Sequence, residues 1–187
     1  MRARSEGPQG IANGRWSNTG AIRRGGKRAA HMGQEQEIRT EDLLNLPRDE
    51  AFELVVDNLE TWWTSPFEEA GPMDAGIEPF AGGVCYEIGS SGRRRIWGTV
   101  LSMQKPLYIR LAWQVSAGKE QIPDPATASR VMISFRAVGQ ATRIEIIHSE
   151  FLRHGQDGAD YLSEMRGRNG WPRMIANLKQ AANSSRR

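Results

Sequence analysis

Residues 79–115, PFAGGVCYEIGSSGRRRIWGTVLSMQKPLYIRLAWQV, alternate apolar and polar side chains in three successive runs with turn-forming residues between them. Period-two alternation sends successive side chains to opposite faces, so three consecutive antiparallel strands are expected. In the last run Leu107, Ile109, Leu111, Trp113 and Val115 share one face, and Tyr108, Arg110, Ala112 and Gln114 share the other. That is the pattern of a half-buried strand. In residues 95–101, Trp97, Thr99 and Leu101 oppose Ile96, Gly98 and Val100, and the Gly-Ser-Ser-Gly of residues 89–92 turns into this run from a strand over residues 84–88. Gly82 and Gly83 just before predict a bulge or bend where backbone passes close to other atoms. A sheet that bends at paired glycines and carries Trp on its apolar face needs an element to wrap around.

The rest of the chain supplies candidates for that element. Residues 37–44 predict a short first strand. Pro47 fits the first position of a helix, Asp49 and Glu50 favour the positive end of its dipole, and Ala51, Phe52, Val55, Val56 and Leu59 form its apolar stripe. This helix runs into Trp62 and Trp63, a pair read as an anchor between helix and sheet rather than as a binding platform. Residues 64–76, rich in Pro, Gly and acid, are read as a loop, and residues 77–80 as the start of the sheet. After Val115 a polar connection holds Pro123 and Pro125, and its length is that of a lid, an entrance or an unstructured connector. Residues 131–137 and 142–148 then alternate around Gly139-Gln140, a hairpin. A short helix around residues 157–165 is followed by a last one in which Trp171, Met174, Ile175 and Leu178 recur at helical spacing, with Pro172 in the first turn. Together these elements predict an α+β domain with one sheet face covered by the last helix.

At 187 residues the chain is long enough for one core of ordinary size. Residues 1–32 hold seven basic residues, one acidic residue and no periodic apolar pattern, and are read as a disordered extension or an expression-derived sequence beside a single domain over residues 33–187. Of the 25 basic and 22 acidic residues this leaves 18 against 21, a net charge of about −3 for residues 33–187 where the whole chain carries +3. The domain therefore has no basic bias, and neither nucleic acid nor an anionic membrane is an expected partner. The run Arg93-Arg94-Arg95 sits at a turn and is read as a solvated charge cluster. The single cysteine, Cys85, excludes an internal disulfide and a multi-cysteine metal site, which fits a reducing cytoplasm and no metal or other cofactor. It is read as an inert strand residue.

The order of elements, the Trp62-Trp63 pair, PFAGGVCYE, IWGTVLSMQKPLYIRLAWQV, TRIEIIHSEFLRHG and the closing GWPRMIANL resemble the START-like SRPBCC superfamily over residues 37–182. More narrowly they resemble its branch named after homologues of the activator of the heat-shock protein 90 ATPase. The resemblance implies a helix-grip fold, in which a curved antiparallel sheet wraps around the long C-terminal helix and leaves an internal apolar cavity. Gly82, Gly83, Trp97, Gly98, Gly170, Trp171 and Pro172 fall on the matching positions and are read as structural. Cys85 and Tyr86 depart from the bulkier residues of many relatives, which enlarges the expected cavity if position 85 faces inward. The residues expected to line the cavity are Tyr86, Trp97, Trp113, Phe135, Ile144, Ile146, His148, Trp171, Met174 and Leu178.

No HExxH, GxSxG, phosphate-binding loop or dinucleotide fingerprint occurs, so no catalytic set is assigned. His31 lies in the extension and His154 beyond the last strand, whereas His148 shares a strand face with Ile144 and Ile146. It is read first as a hydrogen-bonded residue at a strand end and second as the one acid–base candidate. Glu87, Arg95, Glu150 and Asp157 are read as surface or strand-rim charges. These residues favour a small cytoplasmic domain that binds an apolar or amphipathic small molecule between sheet and C-terminal helix without covalent chemistry. Two alternatives stand beside it. One is a cyclase or dehydratase in which His148 or Glu87 moves protons, and the other is a stress-related partner of a chaperone ATPase; a homodimer is compatible with each.

Overall fold

A computed structural model describes residues 37–67 and 74–185. The extension assigned to residues 1–32 lies outside the described residues, as does His31. Seven antiparallel strands form one curled sheet in the order β1-β7-β6-β5-β4-β3-β2. They are β1 (Ile38–Leu44), β2 (Asp74–Ile77), β3 (Val84–Ile88), β4 (Arg94–Gln104), β5 (Tyr108–Trp113), β6 (Ser129–Val138) and β7 (Ala141–Ser149). The helices are α1 (Arg48–Val56), α2 (Gly158–Arg166) and α3 (Trp171–Ser184), with short 3-10 segments at Leu59–Thr61 and Phe151–Asp157. The sheet and the long C-terminal helix make the expected helix-grip fold.

Alternation decides which face of the sheet meets α3. In β6 and β7, Ser129, Val131, Ile133 and Phe135 and then Thr142, Ile144, Ile146 and His148 are all buried, and Val131 pairs with His148 across the ladder. In β5 Ile109, Leu111 and Trp113 continue this inner face. Each fully buried aliphatic or Phe side chain contributes about 1.5–3 kcal/mol relative to exposure. The stripe of α3 that meets them consists of Trp171, Met174, Ile175, Leu178 and Ala182. Polar ties at the surface set its position: Lys179 reaches Asp42 on β1 at 2.8 Å, and the Asn177 amide donates to Thr64 Oγ1 at 2.8 Å.

Two elements depart from the sequence reading. Residues 74–76 are not loop: Asp74–Ile77 form the edge strand β2, which pairs only with β3, and residues 78–80, expected to begin the sheet, lie outside any strand. Gly76 in β2 lies under the Tyr86 ring, where a Cβ would come within 2.8 Å of the phenol oxygen. The connection after β5 is also more ordered than its prolines imply. Val115 bridges Gln121, the Gln114 side chain donates to the Ile122 carbonyl at 2.8 Å, and Arg130 donates to the carbonyls of Pro125, Ala128 and Ser129. In the run of three arginines, Arg94 pairs with Glu78 at 3.0 Å and lies over the Tyr86 ring, and Arg95 reaches Glu87 and the Phe67 ring. Arg95 is therefore not a solvated rim charge.

The bend expected at the glycine pair is present. Gly82 has φ of +89°, its N–H donates to the Val100 carbonyl, and the Val100 N–H donates back to the Gly83 carbonyl. A Cβ on Gly83 would fall 2.2 Å from the Glu78 carbonyl oxygen, so backbone itself would have to move. Gly83→Ala is expected to destabilise the domain by about 2–3 kcal/mol in urea denaturation, the range for overpacking a close contact, whereas Ala81→Ser on the exposed neighbouring turn should stay within about 0.5 kcal/mol.

Candidate functional site

The space between sheet and α3 is filled by aromatic rings. Trp63 stacks on Trp97 with ring centroids 4.1 Å apart, and Trp113 lies 5.8 Å from Trp97 and 5.4 Å from Trp171. His148 follows at 5.6 Å from Trp113 and lies 4.1 Å from Phe151, the two rings tilted by 39°. A buried indole must still satisfy its N–H. Trp62 donates to the Leu54 carbonyl, Trp63 to Glu87 Oε2, Trp97 to the Tyr86 carbonyl, Trp113 to the Tyr161 hydroxyl and Trp171 to His148 Nδ1. The sequence reading of Trp62 and Trp63 as an anchor matches this role.

His148 is wholly buried and its proton is placed by its partners. An indole N–H only donates, so Nδ1 of His148 holds the lone pair and the hydrogen sits on Nε2. That Nε2–H points to Ser129 Oγ at 2.8 Å, and His154 Nε2 lies 2.9 Å from the same oxygen. All three groups are satisfied when the Ser129 hydroxyl donates to His154. The chain of bonds thus runs from Trp171 through His148 and Ser129 to the half-buried His154. Burial, with His154 adding repulsion, holds His148 well below an imidazole's ordinary 6.5, and burial lowers His154 as well.

Glu87 is the second polar group in the interior. The surface position expected for it is overturned: β3 turns Cys85 and Glu87 inward, and Glu87 is 1% exposed. Its two oxygens accept from Trp63 Nε1 at 3.0 Å and from the Ser65 hydroxyl at 2.7 Å, with Arg95 at 3.5 Å. These donors replace water for the buried carboxyl. Cys85 is also buried, which pushes its thiol pKa up and keeps it unreactive.

Open space begins where the ring cluster ends. A cleft of about 630 Å³ lies between residues 63–66, α2 and the first turns of α3, with Lys119 from the β5–β6 connection at its edge. Trp63, Tyr161, Met165 and Met174 give it an apolar floor, while Asn169, Arg173 and Glu164 stand on its rim. The Thr64–Asn177 hydrogen bond crosses one end and separates it from a shallower groove along the last turns of α3. Glu87 and Trp113 sit directly behind this floor, as partners of Trp63 and Tyr161.

A family model described as Activator of Hsp90 ATPase homolog 1-like protein matches residues 45–183. The chain belongs to this family. Among solved structures it resembles the self-sacrificing resistance protein CalC from Micromonospora echinospora, at 23% identity and a TM-score of 0.61, over 81% of this chain and 96% of that one. The anthrahydroquino-gamma-pyrone synthase Txn09 aligns at 23% identity and 0.59, over 79% and 98%. The Aha1 dimer from Colwellia psychrerythraea aligns at 15% and 0.55, over 78% and 95%. At such identities the shared property is the fold. No curated protein matches the chain significantly. Among the described residues no helix is long and apolar enough to cross a membrane, and no cluster of His, Cys, Asp or Glu could hold a metal ion.

In this member of the family, the residues expected at a cavity wall divide into three sets. Met174 lines the cleft. Trp97, Trp113, Phe135, Ile144, Ile146, His148, Trp171 and Leu178 face the same interior and pack it behind the cleft. Tyr86 is placed elsewhere: with Cys85 and Glu87 turned inward, alternation sends it to the opposite face, under Arg94 and against Gly76. Position 85 does face inward, where Cys85 packs against Gly98, on which a Cβ would meet the Ala112 carbonyl oxygen at 2.8 Å and the Cys85 Cβ at 3.4 Å, so the smaller side chain opens no space there. Trp63 was read as an anchor and not as a binding surface, and Tyr161, Met165 and Arg173 escaped the sequence reading, because the cleft draws these side chains from three separate segments. The i, i+4 spacing of Tyr161 and Met165 on α2 was the signal available. Of the remaining candidates, Glu150 pairs with Arg153 and Asp157 precedes α2 without a side-chain hydrogen bond to its first turn, both exposed as expected.

The lowered histidines have a measurable sign. Below pH 6.5 the unfolded chain binds protons that folded His148 and His154 refuse, so stability is full above that pH and is lost as pH falls. The unfolding free energy is expected to fall as pH drops below 6.5, by up to about 1.4 kcal/mol per pH unit from the wholly buried His148, with a shallower slope in His148→Gln. A flat profile below pH 6.5 would contradict a neutral, buried His148.

Proposed function

We propose that this domain binds an amphipathic small molecule in the cleft between residues 63–66, α2 and α3, without covalent chemistry. The observation that carries the proposal is the composition of the cleft: an aromatic and thioether floor from Trp63, Tyr161, Met165 and Met174 beneath a rim of amides and charges. Its volume of about 630 Å³ falls within the span of small-molecule sites, and an apolar floor with a few convergent polar groups is the usual make-up of such sites. A ring system lying on Trp63 would be backed by Trp97 on β4 and Trp113 on β5, whose ring centroids lie 4.1 and 6.2 Å from that of Trp63. The cavity-wall residues of the sequence reading then act as the support of the site, with Met174 in contact.

A binding role is favoured over proton transfer by His148. Both ring nitrogens of His148 are engaged, and neither it nor Ser129 lines the cleft. The Txn09 synthase and the CalC resistance protein share the scaffold, and a shared scaffold does not carry a shared reaction.

Thermal-shift screening against a panel of lipophilic ring compounds, checked by native mass spectrometry, tests the proposal. A ligand at a hundredfold excess over its dissociation constant stabilises by about 2.7 kcal/mol, which for a domain of this size raises Tm by about 5–10 °C. Asn169→Trp, which sets a ring on the exposed rim, should weaken that ligand at least about tenfold while leaving the stability of the free protein within about 0.5 kcal/mol. Absence of any shift or adduct across the panel would overturn the reading and move attention to a protein partner.

A further inference from the structure

We infer that the ligand of this cleft is a monoanion, an apolar ring system bearing one acidic group that docks against Arg173. The inference rests on the binding reading above and adds the charge of the occupant. Among the described residues three charged side chains line the cleft: Lys119, Glu164 and Arg173. Lys119 Nζ lies 3.3 Å from Glu164 Oε1, so the single carboxylate of the cleft already faces a cation. Arg173 stands in the first turn of α3, exposed at the rim, and has no ion-pair partner among the described residues. Among the described residues the rim therefore carries one uncompensated positive charge.

That charge is local. Residues 33–187 carry a net charge of about −3, so a cationic rim is not the continuation of a basic surface. The neutral polar groups of the cleft are also largely spoken for: Thr64 accepts from Asn177, and Ser65 donates to Glu87. Arg173 and the Asn169 amide remain as the groups facing an incoming ligand. A guanidinium presents a planar fork of donors that matches the two oxygens of an acid group, and the neighbouring apolar floor excludes water and strengthens that pairing. A neutral ring compound would use the floor alone. A dianion would meet only one free cation, with Glu164 nearby.

Two fluorescent probes separate the charge from the ring. Anilinonaphthalene sulfonate carries one negative charge, and phenylnaphthylamine has the same rings without it. The protein is expected to bind the sulfonate at least about tenfold more tightly than the neutral probe, and raising the salt should narrow the gap. In Arg173→Gln the ratio of the two affinities should fall to within about twofold, Arg173→Lys should keep part of it, and Arg136→Gln, the same charge change on β6 away from the cleft, should keep all of it. Equal binding of the two probes, or an unchanged ratio in Arg173→Gln, overturns the inference and leaves the binding reading standing. Failure of both probes to bind, or binding that Asn169→Trp does not weaken, overturns the binding reading and the inference with it.

Discussion

A buried tryptophan brings a large apolar ring and one N–H that must find an acceptor, and leaving such a donor unpaired costs about 1–3 kcal/mol. This domain buries five of them among its described residues, and each N–H has an acceptor. Trp62 is tied to α1, Trp63 to β3 through Glu87, Trp97 to the β3 backbone, Trp113 to α2 through Tyr161, and Trp171 to β7 through His148. The helices are thereby fastened to the inner face of the sheet at set points. Moving α2 or α3 away from the sheet would orphan an indole. Two groups that look chemically active, Glu87 and His148, are explained by this requirement, since each accepts from a tryptophan.

Filling the interior with rings has a consequence for function. A helix-grip scaffold offers room between sheet and C-terminal helix, and here the stacked indoles occupy its depth. The remaining space opens at the mouth, where the cluster ends in Trp63 and Tyr161 and where α2, α3 and the β5–β6 connection contribute polar side chains. Depth gives rigidity, because close-packed rings have few alternative arrangements. The mouth gives chemical variety, because its side chains come from loop and helix ends whose identities the fold does not constrain. Members of one family can thus share a scaffold while differing in what they hold.

Much of this architecture was legible in local pattern. Alternation placed Trp113, Ile144, Ile146 and His148 on one face, and the helical spacing of Trp171, Met174 and Leu178 supplied the element opposite. What pattern does not encode is which distant atom answers a given polar group. Glu87 read as a surface charge because a lone carboxylate in a strand usually is one, although it shares its parity with inward-facing Cys85; its donors Trp63 and Ser65 lie more than twenty residues away, at sequence separations of 24 and 22. Strand β2 was hidden for a related reason. An edge strand makes one ladder, needs little apolar pattern, and in Asp74–Ile77 contains a glycine demanded by the Tyr86 ring above it. Tyr86 itself was assigned to the wall on its aromatic character, against the alternation that sends it outward.

The central claim is that the depth of the fold is packed and that its open space lies at the mouth. Hydrogen exchange of the indole N–H groups of Trp113 and Trp171, followed by nuclear magnetic resonance, tests it most directly. If the interior is packed, both should exchange only through global unfolding, with protection equal to the stability found by denaturation. Exchange orders of magnitude faster than global unfolding would show water reaching the rings through an open cavity, and the account of a filled interior would be wrong.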